Sequence, residues 1–113
     1  MLKIKNLTRK KIIAGNARLC RSILSKAIGL VFSKKKALIF VFKKEKIVPL
    51  HMLFVFYPID VLFLNKEKIV VEKKEKFMPF TFYTPKNKAK YIIEIPTKLA
   101  KKTKTGIGDK IKF

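Results

Sequence analysis

The sequence predicts a single all-β domain, a sandwich or a partly open barrel with one helix near the N-terminus. Three observations lead to this prediction. Short apolar or alternating segments recur about every ten residues, and turn residues separate them. Strand-favouring Ile, Val, Phe and Tyr dominate the apolar segments. The chain of 113 residues has the length of one domain, and no internal repeat or linker divides it.

The N-terminal part of the chain predicts two strands and then a helix. Residues 2–7 alternate between apolar and polar side chains, as a half-exposed strand does, and we expect residues 10–14 to pair with them. From Ala17 to Ile28 the apolar residues fall on one face of a helix, which Gly29 would end. We interpret this apolar face as part of the core, and a membrane-surface or partner helix is the alternative.

The rest of the chain predicts further short strands. Residues 37–42 form a continuous apolar run, which is typical of a strand buried on both faces, between charged turns at 33–36 and 43–46. An extended aromatic segment is expected at 79–83, and one helical turn at 97–102. The other expected strands are 47–56, 59–64, 69–71, 91–95 and 110–113. Hairpin or tight turns are expected at 65–68, 84–88 and 106–109.

The net charge of +21 comes from 28 Lys and Arg against 7 Asp and Glu. Such an excess is typical of proteins that bind nucleic acid or anionic surfaces. Only three of these residues are arginines, so the charge indicates binding through lysine point charges, without base recognition. Abundant Lys, Ile and Phe also fit an AT-rich genome and a heat-adapted proteome. Under that second explanation the charge implies no partner.

The cysteine and histidine counts exclude several classes of site. Cys20 alone cannot form an internal disulfide or a cysteine zinc site, and His51 alone leaves no histidine cluster. We therefore expect no metal and no cofactor. No signal peptide is expected, and two prolines and Asp60 argue against a membrane span over 47–64. We expect a cytoplasmic protein that is a monomer or a weak homo-oligomer.

Several segments carry a family resemblance through their order and spacing. They are Gly-Leu-Val-Phe at 29–32, Ala-Leu-Ile-Phe-Val-Phe at 37–42, Leu-His-Met at 50–52, Tyr-Pro-Ile-Asp-Val-Leu-Phe-Leu at 57–64, Tyr-Ile-Ile-Glu-Ile-Pro at 91–96, and Gly-Asp at 108–109. Together they resemble DUF192, a family of small single-domain proteins of archaea and bacteria. The resemblance covers about residues 17–113, and with it we expect one β-rich domain over residues 1–113 with a jelly-roll-like sandwich or barrel and no assigned activity. Lys98 occupies a position where the family pattern has glycine.

Four residues of the central apolar stretch, His51, Met52, Tyr57 and Asp60, are candidates for a small-ligand site, and so is Glu94 in the expected strand at 91–95. Asp60 is interpreted either as a pocket carboxylate or as an acid that accepts backbone N–H bonds where a strand begins. Strict alternation points Glu94 to solvent, and a buried Glu94 would need a partner. A mechanism that uses both carboxylates would require them to lie close together.

The leading hypothesis is a non-enzymatic binding domain with a shallow pocket for an unidentified small ligand. The alternative is weak, sequence-independent nucleic-acid binding, which predicts a steep salt dependence. Its candidate phosphate contacts are lysines on both sides of the strand at 37–42: Lys34, Lys35, Lys36, Lys43, Lys44 and Lys46. An enzyme that uses Asp60, Glu94 or His51 is the third hypothesis.

Overall fold

The computed structural model describes residues 2–20, 37–51 and 57–113. These residues form nine strands and one short helix. The strands are β1 (Leu2–Asn6), β2 (Lys11–Cys20), β3 (Ala37–Lys46), β4 (Leu50–His51), β5 (Ile59–Leu64), β6 (Val70–Phe77), β7 (Phe82–Tyr83), β8 (Ala89–Pro96) and β9 (Ile111–Lys112). The helix α1 (Leu99–Lys102) lies between β8 and β9.

Seven strands form one curled sheet in the order β6-β5-β8-β3-β2-β1-β9. Neighbouring strands are antiparallel except β2 and β3, which run parallel. The sheet curls until its edges touch, because Ile69 bridges Lys110 and the Val70 amide donates to the Asp109 carbonyl at 2.9 Å. The result is the predicted all-β architecture in the form of a half-barrel. Strands β4 and β7 pair separately as a small second sheet.

Apolar side chains cover both faces of the curled sheet. On the inner face Ile93 and Leu62 belong to the inner core, to which every strand of the seven-stranded sheet contributes side chains. On the outer face Leu38 and Val61 belong to a second core, against which the Leu50 side chain of the small sheet packs. Because side chains alternate along a strand, a central strand covered on both faces is buried at nearly every position. All six residues of β5 are accordingly buried, and five of them are apolar.

Most of the predicted strands and turns are confirmed, but two predictions are wrong. Residues 17–20, expected in the helix, belong to β2 and pair with β3 from Ala17–Ala37 to Cys20–Phe40. Pairing between distant segments outweighs the local helical spacing here. Residues 43–46, expected as a turn, continue β3, and after an irregularity that follows the Val41–Tyr91 pair Lys46 pairs with Ala89 of β8.

Other predictions are confirmed only over part of their length. The expected strand at 47–56 is present as β4 alone, and the extended segment at 79–83 as β7 alone. The remaining predicted helix residues 21–28, the turn at 33–36 and residues 52–56 lie outside the described residues. In the part of the chain that the structure describes, no helix has the length and apolar character that crossing a membrane requires.

Candidate functional site

A cleft of about 570 Å³ opens where β5 begins, β6 ends and the chain enters α1. Its lining residues come from three segments that are distant in the sequence: Pro58, Asp60, Glu75, Lys76, Thr97, Lys98 and Lys101. Sheet order explains how they meet, because β5 lies between β6 and β8. Lys76 and Lys98 have left-handed backbones, with φ of 52° and 77°, where the chain turns at the cleft.

Asp60 forms the buried floor of this cleft, with 1% of its surface exposed. Its Oδ1 accepts hydrogen bonds from the Lys76 amide at 2.9 Å and from the Thr97 hydroxyl at 3.4 Å. Its Oδ2 accepts one from the Ala100 amide at 3.2 Å. The carboxylate therefore fastens the end of β6 and the start of α1 to β5. This geometry supports the interpretation of Asp60 as an acceptor of backbone N–H groups, and direct ligand binding by Asp60 stays a prediction.

The walls of the cleft carry more positive than negative charge. Lys76, Lys98 and Lys101 are exposed there. The other carboxylate of the wall, Glu75, lies 3.6 Å from the amine of Lys73, which partly neutralises it. Three lysines against two carboxylates, one of which lies beside Lys73, leave the cleft with an excess of positive charge.

Glu94 lies on the opposite face of the sheet from Asp60. In the register of β5 and β8, Asp60 pairs with Ile95 and Val61 pairs with Glu94. Paired residues share a face, and consecutive residues point to opposite faces. The sheet therefore separates the two carboxylates, and the hypothesis that they act together is wrong.

The Glu94 side chain is buried in the outer core, between Leu38 of β3 and Val61 of β5 in the strand register. The prediction that it points to solvent is wrong, because the outer face of the sheet is itself covered. Its Oε2 has no hydrogen-bond partner within the described ranges. Burial raises the pKa of Glu94 to about 8, so the carboxyl is mostly neutral at pH 7. Burial, and then the charge of Glu94, raise the pKa of Tyr57.

The structure brings together only part of the predicted small-ligand site. Tyr57 packs against the outer core that contains Glu94, whereas Asp60 faces the cleft. His51 lies in β4, paired with Phe82 of β7, and Met52 lies outside the described residues. Sequence reasoning missed the lysines and Thr97 of the cleft as site residues. The lysine at position 98, where glycine is usual in the family pattern, was the available signal.

Of the lysines predicted to contact phosphate, the structure describes only those that follow residues 37–42. Lys43, Lys44 and Lys46 are exposed at the end of β3, and the Lys46 amine lies 4.9 Å from the centroid of the Phe42 ring. Lys34, Lys35 and Lys36 lie outside the described residues. The three described lysines form an exposed basic end of β3.

Two other carboxylates hold loops in place. Asp109 accepts hydrogen bonds from Asn6 at 2.9 Å, Arg9 at 3.3 Å and the Gly106 amide at 3.0 Å. Burial alone would raise its pKa, but these bonds outweigh burial and lower it. Glu72 accepts a hydrogen bond from the Tyr83 hydroxyl, which raises the pKa of Tyr83 to about 12. Among the described residues no three His, Cys, Asp or Glu side chains are grouped to hold a metal ion.

Comparison with known sequences gives a consistent family match. The model of DUF192, with the description "Uncharacterized ACR", matches residues 4–113. A UPF0127 protein of Pyrococcus horikoshii is 37% identical over 102 residues, which cover 88% of each chain. A UPF0127 protein of Pyrococcus furiosus is 35% identical over 111 residues, covering 96% of this chain and 95% of the relative. These relatives come from archaeal thermophiles, which agrees with the heat-adapted composition and with the family resemblance of the sequence.

Two solved structures share the fold. A protein of unknown function from Novosphingobium aromaticivorans superposes with a TM-score of 0.84 at 19% identity, covering 98% of this chain and 82% of that one. A putative transcription regulator from Sinorhizobium meliloti superposes with a TM-score of 0.83 at 15% identity, covering 97% and 89%. At these identities the likeness shows a common architecture and nothing about a common ligand.

Proposed function

The chain belongs to the DUF192 family, which has no assigned activity, and we propose that it is a non-enzymatic domain that binds a small anionic molecule. The binding site is the cleft between β5, β6 and α1. The observation that carries the proposal is the convergence of Lys76, Lys98 and Lys101 on a cleft whose buried acid, Asp60, already accepts hydrogen bonds at both carboxylate oxygens.

The size and the chemistry of the cleft both support binding. Its volume of about 570 Å³ falls in the range of roughly 300–1,000 Å³ that is typical of small-ligand sites. Each lysine supplies a charged donor, and together they favour a ligand with several anionic oxygens. The two polar groups at the floor, Asp60 and Thr97, hydrogen-bond to each other at 3.4 Å. Neither is arranged as an activated nucleophile with a free base, which favours binding over catalysis.

Titration with inorganic pyrophosphate tests this proposal. We expect saturable chemical-shift changes at the backbone amides of Lys76, Lys98 and Ala100 in ¹⁵N-labelled protein at physiological salt. Replacing Lys101 by glutamine should weaken binding about threefold, as expected for one exposed charge. Lys102→Gln is the matched control, because Lys102 is also exposed on α1 but does not line the cleft. Equal weakening by the two variants, or shifts spread over the whole surface, would refute the proposal.

A second candidate function is sequence-independent nucleic-acid binding, which the basic end of β3 favours. Lys43, Lys44 and Lys46 are exposed there on a chain with a net charge of +21. The S. meliloti structure, named a putative transcription regulator, has the same fold. Fluorescence polarisation with a labelled duplex over about 50–300 mM salt tests this candidate. Duplex binding that persists near 150 mM salt, and that weakens when Lys43, Lys44 and Lys46 are all replaced by glutamine, supports this candidate. Duplex binding that vanishes by 150 mM salt contradicts it.

For both candidate functions we propose that the protein is cytoplasmic and is a monomer or a weak homo-oligomer, as expected from the sequence. Cell fractionation checks the location. Sedimentation velocity of the protein, with and without pyrophosphate, checks the oligomeric state.

A further inference from the structure

A second cavity, of about 400 Å³, opens at the other end of the half-barrel. Tyr91 lines it and pairs with Leu64 at the end of β5, whereas the cleft lies at the start of that strand. We call this cavity the barrel-mouth pocket. Its apolar floor is formed by Leu2, Leu19 and Val41 from the three adjacent strands β1, β2 and β3. These side chains pack against the inner core yet remain partly exposed.

Two aromatic rings form one wall of the barrel-mouth pocket. Tyr91 and Phe113 pack edge to face, with ring centroids 5.2 Å apart and an interplanar angle of 76°. Phe113 follows the edge strand β9, and the curling of the sheet brings it against Tyr91 of the central strand β8. An aromatic wall above an aliphatic floor favours a ligand with an apolar body.

Two lysines stand beside these rings and are held in place. The Lys68 amine lies 4.0 Å from the centroid of the Phe113 ring and 5.6 Å from that of Tyr91. The Lys90 amine lies 5.9 Å from the Tyr91 centroid and donates to the carbonyls of Phe42 and Lys43, both at 3.1 Å. These contacts position the ammonium groups before any ligand arrives.

Among the described residues, no acidic side chain lines the barrel-mouth pocket. Neither Lys68 nor Lys90 forms an ion pair with a described acidic side chain. An ammonium group has three donors. Lys68 directs one to a main-chain oxygen of Phe113, at a long 3.5 Å, and Lys90 directs hydrogen bonds to two carbonyls. Each amine therefore retains at least one donor for an anion.

We propose that the barrel-mouth pocket binds an organic anion with an apolar body, an aromatic or aliphatic carboxylate in chemical class. The apolar body lies on the floor against the aromatic wall, and the carboxylate lies between Lys68 and Lys90. A neutral apolar molecule would leave the remaining donors of the two ammonium groups without an anion, and a small inorganic anion would leave the apolar floor in water. The site uses none of the cleft residues, so it is independent of the proposed function.

The experiment uses 1-naphthoate as the probe and the full chain labelled with ¹⁵N. We expect saturable shifts centred on the amides of Lys68, Tyr91 and Phe113. Binding should be at least about tenfold weaker for 1-naphthalenemethanol, which lacks the charge, and for acetate, which lacks the apolar body. Similar affinity for naphthoate and the alcohol, or shifts centred on the cleft, would overturn the proposal.

Variants at position 68 separate this site from general attraction to a basic protein. Lys68→Gln should weaken naphthoate binding about tenfold, and Lys68→Arg, which keeps the charge, should retain most of it. Lys112→Gln is the matched control, since Lys112 is exposed beside Phe113 and the variant has the same net charge. Loss of affinity that is equal in Lys68→Gln and Lys112→Gln would contradict a specific site.

Discussion

Replacing Glu94 changes how the stability of the protein depends on pH. The carboxyl is buried between Leu38 and Val61 with an unpartnered oxygen, and burial raises its pKa from 4.5 to about 8. The folded state therefore holds the proton more tightly than the unfolded chain does. The stability linked to this proton is fully present below about pH 4.5 and is lost as the pH rises through 8.

The size of the effect follows from the two pKa values. Between pH 4.5 and 8 the unfolded chain gains from ionising Glu94 while the folded state does not. At about 1.4 kcal/mol for each pH unit, the free energy of unfolding falls by an amount on the order of 5 kcal/mol. A loss of this size is a large fraction of the total stability of a small domain.

Urea unfolding of the wild type, Glu94→Gln and Glu94→Met at pH 5, 7 and 9 measures this effect. Both variants lack the titrating group, so their stability relative to the wild type should rise by several kcal/mol from pH 5 to pH 9. Glu75→Gln removes an exposed carboxyl as a control and should follow the wild type at all three pH values. A difference between wild type and Glu94→Met that does not change with pH would refute a buried neutral carboxyl.

Two further substitutions test carboxylates that hold loops. Asp60→Asn leaves one acceptor oxygen for donors that now bind two, so it should lower the free energy of unfolding by about 1–3 kcal/mol. It should also speed hydrogen exchange at the Ala100 amide, and an unchanged exchange rate would contradict this role of Asp60. Asp109→Asn should cost about 1–3 kcal/mol at pH 7 in urea unfolding. Hydrogen bonds lower the pKa of Asp109, so this difference should shrink as the pH falls below 3.8, and a constant difference would count against it.

The strands could be predicted where the local pattern of apolar residues was enough to decide the structure. The apolar run at 59–64 is a strand because both faces of the sheet are covered, and all of β5 is buried. The segment 17–20 was misassigned because its spacing satisfies a helix, while the parallel pairing of Ala17 with Ala37 depends on a distant strand. The charged residues 43–46 look like a turn, but backbone pairing does not require apolar side chains.

The candidate site was less predictable because it is assembled from distant segments. Asp60 stood out as an acid beside an apolar strand, but its donors come from residues 76, 97 and 100, which local patterns cannot bring together. For Glu94 the alternation gave the face correctly relative to Ile93 and Ile95. It could not show that the outer face is covered by a second core, and this cover decides whether the carboxyl is charged.

The net charge has two explanations, the binding of anions and a lysine-rich composition that implies no partner. The backbone conformation of several lysines shows how the two can be separated. Among the residues that the structure describes, five lysines have left-handed backbones, at positions where glycine or asparagine is usual: Lys10, Lys68, Lys76, Lys98 and Lys104. Three of them line the cleft or the barrel-mouth pocket, and two line neither. Lysine at a strained turn is therefore partly a matter of composition in this chain. Only a lysine whose loss weakens binding more than the loss of an equally exposed neighbour has a function, which is why each proposed site is tested against such a neighbour.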